Sequence, residues 1–167
     1  KFDGCALKKT ATNLVFFGGK PEAQLMFIGE APGAHEDRKG TPFVGPSGLL
    51  LDKMIKSIGL DQSNVMSSNT VFWRPPGNRT PTLEETAICR PFLERLIEIV
   101  EPKILVALGG PAAKILLDKP QSISQLRGRW FNYQSSQISQ PIHATAMFHP
   151  AYLLRTPKQK KFAWRDL

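Results

Sequence analysis

The chain has 167 residues, an apolar fraction of 41% and a formal net charge of +8. That length supports one domain with a proper core, and the apolar content excludes a disordered chain. No apolar run approaches the roughly 20 residues of a membrane-spanning helix, and the excess of Lys and Arg favours a polyanionic partner, such as nucleic acid or an anionic membrane face. Two cysteines, Cys5 and Cys89, do not make a secreted disulfide framework, and no signal-peptide pattern is present. A cytoplasmic monomer of one domain, residues 1–167, is the expectation. The first residue is Lys1 rather than Met, so the natural N-terminus is expected upstream.

In chain order, Gln24 to Ile28 is a short apolar run stopped by Gly29 and reads as a buried strand. Gly48 to Ile58 carries Leu50, Met54 and Ile58 at a spacing of four, which predicts a helix with one apolar face and Ser47 as its cap. Val65 to Ser68 reads as a second, weaker strand. Thr82 opens the clearest helix, with Glu85 placed to complete a capping box. Leu83, Ala87, Ile88, Leu93, Leu96, Ile97 and Val100 form its expected buried stripe, and Pro91 should kink or interrupt it. Lys103 to Leu108 is a third strand, ending at Gly109-Gly110, and Pro111 suits the first turn of the next helix. Ile142 to Met147 is a fourth strand. From His149 onward the chain reads as a turn and a final helix.

Alternating strands and helices predict an α/β fold, a three-layer sandwich with a four-stranded parallel sheet between helices. In such folds ligands bind beyond the carboxyl ends of the strands. Four corners therefore carry the functional expectation: Gly29-Glu30-Ala31-Pro32-Gly33, Asn69, Gly109-Gly110 and His149-Pro150. Each alone is weak, since a glycine turn or a lone histidine is more often structural.

In this order the corners are specific. GEAPGAHEDRKGTPFVGPSGLLLDKM, NTVFWRPPGNRTP, LGGPAAKILL, RGRW and HPAYLLRTPKQKKFAWRDL resemble the family 4 uracil-DNA glycosylases across nearly the whole chain. The resemblance implies excision of uracil from DNA by hydrolysis of the N-glycosidic bond, with the base flipped out of the duplex into a pocket. By the same resemblance, Phe43 is the stacking platform, and Asn69 reads uracil O4 and N3–H through its amide. Glu36 stands against C5 to exclude thymine, and His149 stabilises charge on O2. The water-positioning turn corresponds to Glu30, Ala31 and Pro32. An aspartate base is absent at Ala31, so catalysis is expected to be electrostatic, with Glu30 its polar participant.

On the DNA side the resemblance implies phosphate contacts at Gly110 and at Pro46-Ser47, with Arg74, Asn78 and Arg79 of the proline loop at the backbone or bracing the pocket. Leu153 or Leu154 is the wedge that replaces the flipped base, followed by Arg155 and a run of lysines.

Family 4 enzymes hold a [4Fe–4S] cluster on four cysteines. Here that pattern falls on Phe2, Cys5, Trp73 and Cys89. Two ligands are replaced by large aromatics that cannot bind iron, so the expectation is a member that has lost its cluster. It should hold no metal or other cofactor, with Trp73 buried and the two remaining thiols close together. Two other readings stand beside an active glycosylase. One is a superfamily member that recognises uracil or DNA without efficient turnover, and the basic histidine-bearing insertion of one such branch is absent here. The other is an unrelated nucleotide-binding protein, for which no phosphate motif is present.

Overall fold

The computed structural model describes residues 2–61 and 63–167. Its centre is a six-stranded sheet in the order β1-β3-β2-β4-β6-β5. The strands are β1 (Phe17–Gly19), β2 (Leu25–Gly29), β3 (Val65–Asn69), β4 (Ile104–Leu108), β5 (Trp130–Tyr133) and β6 (Ile142–Met147). The four expected strands are the central ones, and all their pairings are parallel. The sheet is larger than expected because β1 and β5 add antiparallel edges. Neither announces itself in the sequence: β1 is Phe-Gly-Gly, and β5 is only four residues long with Asn132 inside it.

The helices are α1 (Ala34–Lys39), α2 (Pro46–Ser57), α3 (Leu83–Val100), α4 (Gly110–Leu117), α5 (Ile123–Leu126), α6 (Pro150–Arg155) and α7 (Lys160–Asp166). Alternate strand residues feed two cores. Met26, Ile28, Met66, Leu105, Ala107, Ala144 and Ala146 pack with α3, α4 and α5 on one face. Phe27, Val65, Val106, Leu108 and Met147 pack with α2, α6 and α7 on the other. Burial on both faces is why these strands read as apolar runs without alternation.

Several local expectations change. Gly45, not Ser47, caps α2, because Pro46 supplies the pre-set first helical turn and draws the start forward. The buried side of α2 is then Gly48, Leu51, Met54 and Ile55, while Ile58 lies past its end and is exposed. In α3 the capping box of Thr82 and Glu85 forms, and the buried stripe is Glu85, Cys89, Leu93, Leu96 and Ile97. Leu83 and Ala87 face solvent, and Ile88 and Val100 are half-buried. Pro91 does not interrupt α3. It lies with Ala87 on the exposed side, where the carbonyl left without an amide partner can be hydrated. The final helix is two helices, α6 and α7, separated by a 3-10 turn at Pro157–Gln159. No described helix is long and apolar enough to cross a membrane.

Candidate active site

A cleft of about 880 Å³ opens at the carboxyl ends of the parallel strands. The turns after β2, β3, β4 and β6 all reach it, as the strand polarity requires. Glu30, Ala31, Glu36, Phe43, Pro46, Ser47, Asn69, Asn78, Arg79, Gly110, His149 and Arg155 line its wall.

The floor is made by an absence. A Cβ on Gly29 would lie 2.5 Å from Asn69 Oδ1 and 2.8 Å from Phe43 Cζ. The missing side chain lets the amide and the ring meet over the end of β2. Asn69 is only 3% exposed, at the last position of β3. Phe43 has a positive φ of 55°, an uncommon conformation for a non-glycine residue. Two contacts impose it. Gly48 lies under the Phe43 carbonyl, which a Cβ would approach to 1.7 Å. Glu36 Oε1 accepts the N–H groups of Val44 (3.0 Å) and Gly45 (2.8 Å), while its Oε2 accepts Gly33 N–H at 3.1 Å. Glu36 thus straps the Phe43 loop to the start of α1.

His149 stacks with Phe43, ring centroids 6.1 Å apart and planes at 29°. It caps α6, its Nδ1 accepting Ala151 N–H at 3.0 Å. An accepting Nδ1 puts the neutral ring's proton on Nε2. Burial, with repulsion from Arg155, pushes its pKa down to about 4 against an opposing pull from Glu36. The neutral donor tautomer is therefore the resting state at physiological pH.

Glu30 is half-buried, and its Oε1 is the one enclosed side-chain oxygen without a hydrogen-bond partner among the described residues. Burial raises its pKa, and the Thr80 hydroxyl opposes that shift. An orphan carboxylate oxygen in a cleft is a place for a water or substrate group.

Around the rim, Arg74 Nε donates to Asn78 Oδ1 at 2.7 Å. Arg79 is held by Glu85 through two bonds of 2.9 and 2.6 Å. Glu85 also accepts Thr82 N–H, and chiefly the Arg79 bonds pull its pKa down to about 2. Arg79 therefore braces the proline loop onto α3. Gly110 opens α4, and Pro46 and Ser47 open α2, so both helix starts turn unpaired N–H groups toward the cleft. Of the two wedge candidates, Leu153 is 1% exposed in the core and unable to reach DNA, because α6 buries Pro150 and Leu153 on one side. Leu154 is 41% exposed.

The model of the uracil DNA glycosylase superfamily matches residues 16–167. The type-4 uracil-DNA glycosylase of Sulfurisphaera tokodaii is 40% identical over 97% of this chain and 75% of its own length. That of Thermotoga maritima is 40% identical over 93% and 79%, and that of Archaeoglobus fulgidus 38% over 94% and 80%. The chain belongs to the type-4 uracil-DNA glycosylases.

Against that membership, the four positions expected to hold the family's cluster have an unusual content in this glycosylase. Cys5 and Cys89 are both buried, free thiols, and they neighbour each other in the core. Burial, with the neighbouring Cys5, pushes the Cys89 thiol up to about 12. Trp73 is 8% exposed and stacks on Phe2, centroids 6.2 Å apart; Phe2 in turn meets Phe92 edge-on at 4.8 Å. No group of three or more His, Cys, Asp or Glu side chains suited to a metal occurs among the described residues. Two thiols, an indole and a phenyl ring do not fit a four-thiolate cluster.

Sequence reasoning missed Gly48, Thr80, Ile123 and Ser124, and it marked Gly29 only as part of a corner. Gly29 and Gly48 act through a side chain they lack, which only three-dimensional proximity exposes. Thr80 reaches Glu30 from the proline loop, and Ile123 and Ser124 come from α5, a helix too short to show periodicity.

Proposed function

We propose that this protein excises uracil from DNA, using the cleft at the strand ends as its uracil pocket and without an iron–sulfur cluster. The observation that carries the reading is the meeting of Asn69, Phe43 and His149 over Gly29 in one cleft. A flipped uracil would stack on Phe43. The Asn69 amide would accept N3–H and donate to O4, a pairing that cytosine reverses. Glu36 would exclude thymine's methyl group indirectly, by fixing the wall that the Phe43 loop forms.

In the reaction the bond between uracil N1 and the sugar C1′ breaks, and its electron pair passes into the uracil ring toward O2. His149 Nε2–H would donate to that oxygen, without giving up its proton, where negative charge develops. Glu30 as a carboxylate would favour the positive sugar and hold the water that adds to C1′. The water's second proton leaves to solvent. Phosphates would sit on the starts of α2 and α4 and beside Arg74, Asn78 and Arg155, with Leu154 filling the vacated stack. The stacked Phe2, Trp73 and Phe92 rings and the buried thiol pair support the reading that packing now does the cluster's structural work.

The test is incubation with an oligonucleotide holding one uracil, followed by alkaline cleavage of abasic sites. Strand scission at uracil and not at thymine or cytosine is expected, with strong loss in Asn69→Ala and His149→Ala. Intact oligonucleotide with wild-type protein, together with tight binding, would instead favour the non-turnover superfamily reading.

A further inference from the structure

We propose that the C-terminal flank of the cleft is a stacking surface for an unpaired DNA strand next to the uracil, with Trp130 and Trp164 as its platforms. The proposal rests on the reading of the cleft as the uracil site. Of the three tryptophans, Trp73 is enclosed, whereas Trp130 and Trp164 are 62% and 64% exposed. Tryptophan is highly buried on average, so two open indoles in one region need a reason.

The two belong to one rigid assembly. Trp130 starts β5 and pairs with Thr145 of β6, near the end of the strand that delivers His149. It meets His143 edge-on at 6.4 Å, on the face of the sheet that also carries α6 and α7. Trp164 lies on α7. The junction is Arg127, whose guanidinium bonds both oxygens of Asp166 (2.9 and 2.5 Å) and the Phe162 carbonyl (2.7 Å). The same guanidinium lies 5.4 Å from the centre of the Phe148 ring, and Phe148 lines the cleft. The surface is thus joined to the pocket wall through one residue.

Charge identifies the occupant. Arg129, Lys160, Lys161 and Arg165 are exposed here, and the acid of α7, Asp166, is already taken by Arg127. Open indoles among unneutralised cations match bases and phosphates of a single strand, whose π-faces a paired duplex keeps stacked inside. A duplex would use the cations and leave the indoles unused.

The experiment measures anisotropy of a fluorescein-labelled, uracil-free oligo(dT), alone and annealed to oligo(dA). The wild type should bind the single strand more tightly than the duplex. Trp130→Ala and Trp164→Ala should each weaken single-strand binding about ten-fold, and Trp130→Phe should retain most of it. Both side chains are exposed, so unchanged melting is expected and is checked alongside. Should a variant misfold, the wild type decides: its tryptophan emission should be quenched by oligo(dT) more than by the duplex. Unchanged affinity in both alanine variants, equal losses on single strand and duplex, or no preferential quenching would each overturn the proposal. Excision is not read, so a failure here leaves the uracil reading standing, and a protein without excision could still show the stacking surface.

Discussion

At the scale of single residues, the pocket depends as much on omitted atoms as on functional groups. Gly29→Ala would place a methyl 2.5 Å from Asn69 Oδ1 and 2.8 Å from the Phe43 ring. It should cost most of the excision rate while the melting temperature falls little, because the strand tolerates alanine and the displaced groups face the cleft. Measured kcat and thermal melting of the one variant separate the two effects. His149 gives a pH signature. Its pKa is depressed to about 4 in the folded state from an ordinary 6.5. The neutral ring's contribution to stability is complete above about 6.5 and is lost as pH falls toward 4. Excision from this group should therefore be flat from pH 8 to about 6 and decline only as protonation breaks the Ala151 bond. A rate–pH profile with an inflection near 6.5 would contradict the burial of this imidazole. Asn69 and His149 were legible because they stand at strand ends, and Phe43 because it belongs to the same long ordered pattern. The Glu36 strap was not, since its partners are backbone N–H groups that leave no mark on the sequence.

At the scale of elements, the proline loop and α3 form one unit. Arg79 and Glu85 lock the loop to the first turn of α3, and Cys89 one turn on packs against Cys5. Arg79→Ala should leave Glu85 without its main partner. Its depressed pKa, about 2, would then rise toward the ordinary value, and acid unfolding followed by circular dichroism should begin at higher pH. Trp73→Ala removes a ring that is 8% exposed and should cost about 3–5 kcal/mol in chemical denaturation. A loss within experimental error would show that the aromatic stack supports nothing. The parallel strands and α3 were readable because apolar runs and a capping box are local signals. The edges β1 and β5 were not, because short strands borrow their order from the neighbours they pair with. The offset in α2 has a similar origin: Pro46 overrides the spacing of Leu50, Met54 and Ile58.

At the scale of the whole molecule, the net charge of +8 and the helix starts around the cleft imply binding that neutralises several phosphates. DNA affinity should therefore fall steeply between low and moderate salt, and a flat titration would contradict the basic rim. The same charge was visible at once from composition, whereas its division between the cleft and the flank of α7 required the fold. Across these scales, the proposed uracil pocket is expected to function while aromatic rings and two thiols stand at the positions assigned to the family's cluster. The direct measurement is single-turnover release of uracil by the protein as purified, with iron determined on the same sample. Complete release by a colourless protein without stoichiometric iron is expected. A brown protein with a cluster's complement of iron, whose excision disappears as the iron is removed, would contradict it.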